Sequence, residues 1–203
     1  MADVRRVAVL GGGNGGHAMA ADLTLKGYEV NICEAPEFKD NFSITLERQA
    51  IELIDVWGEK HTVKVNKATT NFEEAIKGVS YIMIVVPAIG AKGFFNSILP
   101  YLENGQTIIK WSANFSALSF AKILKEKGVK KEITLAEAHT LPWGCRLAAP
   151  GTVEIMVSAV RLLLATLPAK NVDRVISEVS DMYPVVAGEN VLAPSLNNLN
   201  PVV

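Results

Sequence analysis

Five glycines in six positions, Gly11-Gly12-Gly13-Asn14-Gly15-Gly16, follow directly on the wholly apolar tetrapeptide at 7–10. A short run that is apolar at every position suits a strand covered on both faces. The segment 17–26 reads as a helix, with Ala18, Ala21 and Leu25 on one face and Gly27 at its stop. Residues 28–34 form a second strand that ends on Glu34. Strand, glycine turn, helix and strand thus fit within about 30 residues, the length of a βαβ unit.

The glycines fall as Gly11-x-Gly13-x-x-Gly16, and each has a separate task. Gly11 allows the tight turn, Gly13 lets the backbone approach a pyrophosphate, and Gly16 lets helix and strand pack closely. The helix N-terminus offers free N–H groups and a partial positive charge to phosphates. Glu34 stands where a carboxylate accepts hydrogen bonds from the hydroxyls of an adenosine ribose. Its charge repels a 2′-phosphate, so the pattern favours NAD(H), with NADP(H) possible. Arg48 is too distant in sequence to carry weight against that. The predicted cofactor loop therefore comprises Gly11, Gly12, Gly13, Asn14, Gly15 and Gly16, answered by Glu34. His17, just after the glycines, reads as a partly exposed helix residue.

Downstream, strands and helices alternate. Strands are expected at 79–86, 106–111 and 132–138, with helices at 72–77, 92–102 and 118–127 between and before them. A β-hairpin is expected from 51–57 and 61–66 around Gly58-Glu59-Lys60, preceded by a loop with a short helix at 35–50. The apolar stretch 152–164 reads as one or two strands extending the sheet, and 172–182 as a helix. The prediction is an α/β fold, a Rossmann-like, doubly wound, mostly parallel sheet with a hairpin insertion and extra C-terminal strands. The dinucleotide-binding domain is assigned to 1–188. The remainder, 189–203, holds Pro194, Pro201 and four asparagines and reads as a turn-rich connector.

Composition narrows the function classes. Twenty Lys+Arg against 21 Asp+Glu leave a net charge of −1 and no basic block, which argues against a nucleic-acid surface. No apolar run approaches the roughly 20 residues of a spanning helix, and the stretch at 7–10 is too short for a signal-peptide core. Cys33 and Cys145 are far apart and form no metal or disulfide framework. The expectation is a soluble, reduced, cytoplasmic protein with no membrane and no metal.

Open α/β sheets bind ligands beyond the carboxyl ends of their strands. At those ends lie Pro87-Ala88, Ser112-Ala113-Asn114 and His139-Thr140. Ala88 and Ala113 are small enough to leave room for a cofactor. Asn114 either bonds a carboxamide or caps the following helix. His139 is the one histidine of three at a strand end, and hence a weak candidate for acid–base work beside a purely structural role. His61 belongs to the hairpin, Cys33 to the core, and Cys145 lacks the partners of a nucleophile.

These residues resemble the opine dehydrogenases of the octopine/nopaline type. The start VAVLGGGNGGHAMAADL is similar to the cofactor loop of that family, and the likeness runs on through EEAIKGVSYIMIVVPA. It is sharpest at Thr140-Leu-Pro-Trp-Gly-Cys145-Arg146, similar to a T-L-P-Y-A-C-R segment, and returns at 190–203. Such enzymes join the amino group of an amino acid to an α-keto acid with hydride from NAD(P)H. The resemblance implies that Thr140, Cys145 and Asn200 contact the substrates and that Asn114, with Pro87 and Ala88, faces the nicotinamide. Two departures stand out. Trp143-Gly144 replaces Tyr-Ala, and Ala138-His139 replaces acidic or polar residues before the threonine.

In the family, an N-x-N-P-V segment is followed by the catalytic histidine and an all-helical domain, and this chain stops at Val203. It is therefore expected to be the cofactor domain alone, inactive in isolation, with an apolar face around Trp143 and 191–203 that favours a homodimer. The alternatives are a related keto-acid reductase domain and a non-catalytic NAD-binding module.

Overall fold

The computed structural model describes residues 5–197. The glycine-linked unit is present as β1 (Arg6–Leu10), α1 (Asn14–Leu25) and β2 (Glu29–Cys33), with β1 and β2 parallel. Then come α2 (Lys39–Arg48), β3 (Ala50–Ile54), β4 (Lys60–Lys64), β5 (Lys67–Thr69), α3 (Phe72–Ile76), β6 (Tyr81–Ile84), α4 (Ala88–Ile98) and β7 (Thr107–Trp111). The remainder is α5 (Ser116–Glu126), β8 (Thr134–Ala138), β9 (Trp143–Ala149), β10 (Thr152–Ser158), β11 (Leu162–Leu167), α6 (Val172–Val179), β12 (Val185–Ala187) and α7 (Leu192–Leu196).

The main sheet has eight strands in the order β12-β11-β8-β7-β6-β1-β2-β5. Every neighbouring pair is parallel except β8 and β11. From β1 the chain moves outward to β2 and β5, then returns to β6 on the other flank of β1. The connections after β1 and β6 therefore diverge, opening a crevice at their carboxyl ends. The Val, Ile and Leu residues of β1, β6 and β7 are buried because helices lie on both faces. Phe94 and Phe95 of α4 and Phe120 of α5 cover one face, with Phe95 and Phe120 stacked at 4.1 Å. Helices α1 and α6 cover the other.

Four expectations need correction. First, α1 is not an amphipathic helix with Leu25 on its buried face. Leu25 is half exposed, while Gly15 through Ala21 and Leu23 are buried. The reason is a second sheet, β4-β3-β10-β9, which sandwiches α1 against the main sheet. Small residues all round α1 permit that double burial. Second, of the apolar stretch 152–164 only β11 extends the main sheet. The other strand, β10, joins the hairpin β3–β4 in the second sheet.

Third, the segment before the hairpin is a ten-residue helix, α2, rather than mostly loop. Its last turn ends on Gln49 with φ +52, and that side chain bonds the backbone of Ala68 in both directions. Fourth, helix α7 packs on β8 and β11 within the turn-rich segment, with Pro194 and Ser195 buried. The short strands β5 and β12 and the strand β9 have too few residues of period-two signal to stand out in sequence.

Candidate cofactor site

The glycine turn leaves β1 with Gly11 at φ +115 and its N–H on the Cys33 carbonyl at 2.8 Å, prolonging the β1–β2 pairing into the turn. Gly16 packs so tightly that a Cβ there would lie 1.7 Å from the Gly11 carbonyl oxygen. Gly13 is the opposite case, since a Cβ would meet nothing within 4 Å and would project into the open cleft. The first turn of α1 starts at Asn14, three residues earlier than the sequence pattern places it. Its leading N–H groups have no intrahelical acceptors and border the crevice, which suits an anion.

Two cavities flank the turn. The larger, about 810 Å³, is lined by Gly12, Gly13, Glu34, Phe38, Asn41 and Leu147 among others. With Asp40, Glu34 makes this cavity acidic. Its Oε2 accepts from the Gly12 N–H at 2.8 Å and its Oε1 from the Ala35 N–H at 2.7 Å. Burial pushes the Glu34 carboxyl above its usual range, and those two N–H groups oppose the rise. The smaller cavity, about 340 Å³, lies at the carboxyl ends of β6 and β7. Gly13, Asn14, Gly15, Val85, Val86, Pro87, Trp111, Ser112 and Leu141 line it, and none of them is ionisable. The two cavities meet at Gly13, which lines both.

Several predicted residues sit elsewhere. His17 is almost wholly buried, not partly exposed. Its ring bonds the Gly13 carbonyl at 3.2 Å and the Thr45 hydroxyl at 2.7 Å, tying the turn to α2, and burial lowers its pKa. Ala113 is in the core, its N–H on the Ala138 carbonyl, so Ser112 rather than Ala113 meets the cavity. Asn114 does not cap α5. Its amide donates to the Ser112 carbonyl at 3.2 Å. Pro87 lines the smaller cavity, while Ala88 starts α4 outside it.

Thr140 and Cys145 are half-buried and line neither cavity, although Leu141 and Leu147 beside them do. Burial raises the Cys145 thiol pKa, which keeps it a neutral thiol. His139 accepts the Leu163 N–H on Nδ1 at 3.0 Å, and burial lowers its pKa. Cys33 is buried in β2, and His61 is paired with Asp55 at 3.1 Å. Trp143 stacks edge-on against buried Tyr183, and of the tail where an apolar face was expected Val191 is buried while Leu192 and Leu196 are exposed. Asn200 lies outside the described residues.

Asn14 has a role that spacing could not show. Its Oδ1 accepts the Leu147 N–H at 2.9 Å, fastening β9 across the glycine turn. Asn14→Ala should leave that N–H unpartnered, at a cost of about 1–3 kcal/mol. The expected result is a lower melting temperature together with weaker NADH binding. Unchanged values of both in thermal melts and calorimetry would show that the clip is idle.

The pattern of one known family, described as the NAD-dependent glycerol-3-phosphate dehydrogenase N-terminus, matches residues 6–141. The chain belongs to that family. Within it, the likeness is to opine dehydrogenases. The opine dehydrogenase of Arthrobacter sp. (strain 1C) is 34% identical over 210 residues, covering 100% of this chain and 56% of its own. A structure of octopine dehydrogenase with NADH and L-arginine superposes with a TM-score of 0.77 at 22% identity, over 94% of this chain and 50% of that one. An NADP+-bound yersinopine dehydrogenase superposes at 0.72 with 16% identity, over 96% and 50%. The dehydrogenase N-terminal fold is thus shared, and the chain spans about half the length of the curated relatives it matches. Among the described residues, no helix is long and apolar enough to cross a membrane.

Proposed function

We propose that this chain binds NAD(H) as the cofactor domain of an opine dehydrogenase, an oxidoreductase acting on CH–NH bonds that joins an amino acid to an α-keto acid. The observation that carries the reading is Glu34, held by the Gly12 N–H beside the open face of Gly13. The adenosine ribose would bond Glu34 in the larger cavity, the pyrophosphate would lie against Gly13 and the start of α1, and the nicotinamide would enter the smaller one. The likeness to the Arthrobacter opine dehydrogenase favours this over a keto-acid reductase or a non-catalytic module.

When bound, NADH would supply the hydride for imine reduction. This chain's own residues bind and orient. Val85, Val86, Trp111 and Leu141 exclude water from one side of the smaller cavity. Asn114 would act at the nicotinamide end, with Pro87 bordering it. Thr140, Cys145 and Asn200 would bear on the amino-acid side, with residues 1–188 as the domain and 189–203 as its connector. The reading includes a cytoplasmic location and a homodimer. The dimer would form through apolar side chains such as Phe115, Leu192 and Leu196, which are exposed, and light scattering tests it.

Calorimetry with NADH and NADPH tests the cofactor assignment. The chain should prefer NADH, and Glu34→Gln, which removes the charge but keeps an acceptor oxygen, should narrow the preference about tenfold, or 1.4 kcal/mol. An unchanged ratio would remove Glu34 from the ribose site.

A further inference from the structure

A polar network inside the main sheet lies just behind the smaller cavity. Lys110 and Glu137 are register neighbours on β7 and β8, and both are fully buried. They form no ion pair in the structure. The Lys110 ammonium instead donates to the carbonyls of Trp111 at 2.5 Å and Ser112 at 3.2 Å. Glu137 accepts the Ala117 N–H on Oε1 and the Ser195 hydroxyl on Oε2, each at 2.6 Å. The Ser195 Oγ in turn accepts the Phe115 N–H at 2.9 Å.

Every one of these bonds ends on the segment 111–117 or holds a group that does. That segment is unusual in its backbone, because Ser112 at φ +67 and Phe115 at φ +58 both occupy the left-handed region without being glycine. Such conformations persist only where surrounding contacts enforce them. The carboxylate of Glu137 also sits at the N-terminus of α5, where it is favoured by the helix dipole. Trp111 and Ser112, at the start of the strained turn, form one wall of the smaller cavity.

We propose that Glu137 and Ser195 are positioning residues for the nicotinamide half of the cofactor, locking the turn after β7 onto helix α7. The proposal rests on the assignment of the smaller cavity to the nicotinamide. It makes α7, 58 residues beyond Glu137 in sequence at Ser195, part of the cofactor cleft although it touches no cofactor. Movement of α7 would be transmitted to the cavity wall through two hydrogen bonds.

The test compares NADH with ADP-ribose, which lacks the nicotinamide, by calorimetry on the 203-residue chain. Ser195→Ala should raise the NADH Kd about tenfold and leave that of ADP-ribose within about twofold. Ser195→Thr, which keeps the hydroxyl, should restore NADH affinity. Gln106→Leu removes buried bonds to the Ile76 and Val79 carbonyls at the opposite end of β7 and should leave the NADH to ADP-ribose ratio unchanged. Equal weakening of both ligands by Ser195→Ala, or none, overturns the proposal. In the unaltered chain, NADH should slow hydrogen exchange at the Phe115 and Ala117 amides more than ADP-ribose does. Equal slowing also overturns it, even if Ser195→Ala fails to fold. A wild-type chain that binds ADP-ribose but gains nothing from the nicotinamide sinks this inference alone. One that binds neither ligand sinks the cofactor reading as well.

Discussion

Gly13→Val should abolish NADH binding and leave the fold intact, whereas Gly16→Ala should do the reverse damage. A Cβ at Gly13 meets no atom of the protein within 4 Å, and its backbone is extended, with φ −82 and ψ −167, which valine tolerates. The added side chain would occupy the space over the turn where a pyrophosphate must lie. The expected loss is more than about 100-fold in NADH affinity, or 2.7 kcal/mol, with the melting temperature within about 3 °C of wild type. A Cβ at Gly16 would instead sit 1.7 Å from the Gly11 carbonyl oxygen, which belongs to backbone and cannot swing away. Overpacking of that kind costs about 3 kcal/mol, or a drop of about 10 °C for a chain of this size. Thermal melts and calorimetry on the two variants separate the effects. A Gly13→Val chain that binds NADH normally would move the phosphates away from this turn.

The chain should bind NADH yet fail to oxidise it with pyruvate and a panel of L-amino acids. Imine reduction needs a proton donor in a water-poor cleft, and no side chain lining the smaller cavity titrates. The nearby candidates are committed elsewhere. His139 has its Nδ1 lone pair on the Leu163 N–H, and Lys110 faces the Trp111 and Ser112 carbonyls. Lys110 is fully buried behind the cavity wall, and Cys145 lines neither cavity. Loss of general acid catalysis alone is worth about 10²–10⁴ in rate. Loss of NADH absorbance, followed with and without the substrates, measures this. Robust turnover that His139→Gln removes would make His139 the proton donor and refute the inactivity.

Much of the glycine turn was legible because its signals are local. Gly11 and Gly16 are constrained by a single tight turn, and Glu34 falls beside it by the length of one βαβ unit. The other strand ends were less legible. Ala113 and Ser112 are adjacent in a turn with two left-handed residues, and no period tells which one faces the cleft. His17 looked exposed because its helix was assigned one buried face. The Thr45 hydroxyl that holds it lies 28 residues away.

Local pattern was therefore sufficient for the β1–α1–β2 unit, the parallel sheet and the acidic residue at the second strand end. Hydrophobic period and turn chemistry act over a few residues and are written into neighbouring positions. It could not decide which of two sheets β10 would join, that Asn14 would clip Leu147 across 133 residues, or that Ser195 would close on Glu137. An apolar strand carries the same alternation whichever edge it meets. A buried hydroxyl or carboxylate acquires its partner only when packing removes water and leaves one donor within reach.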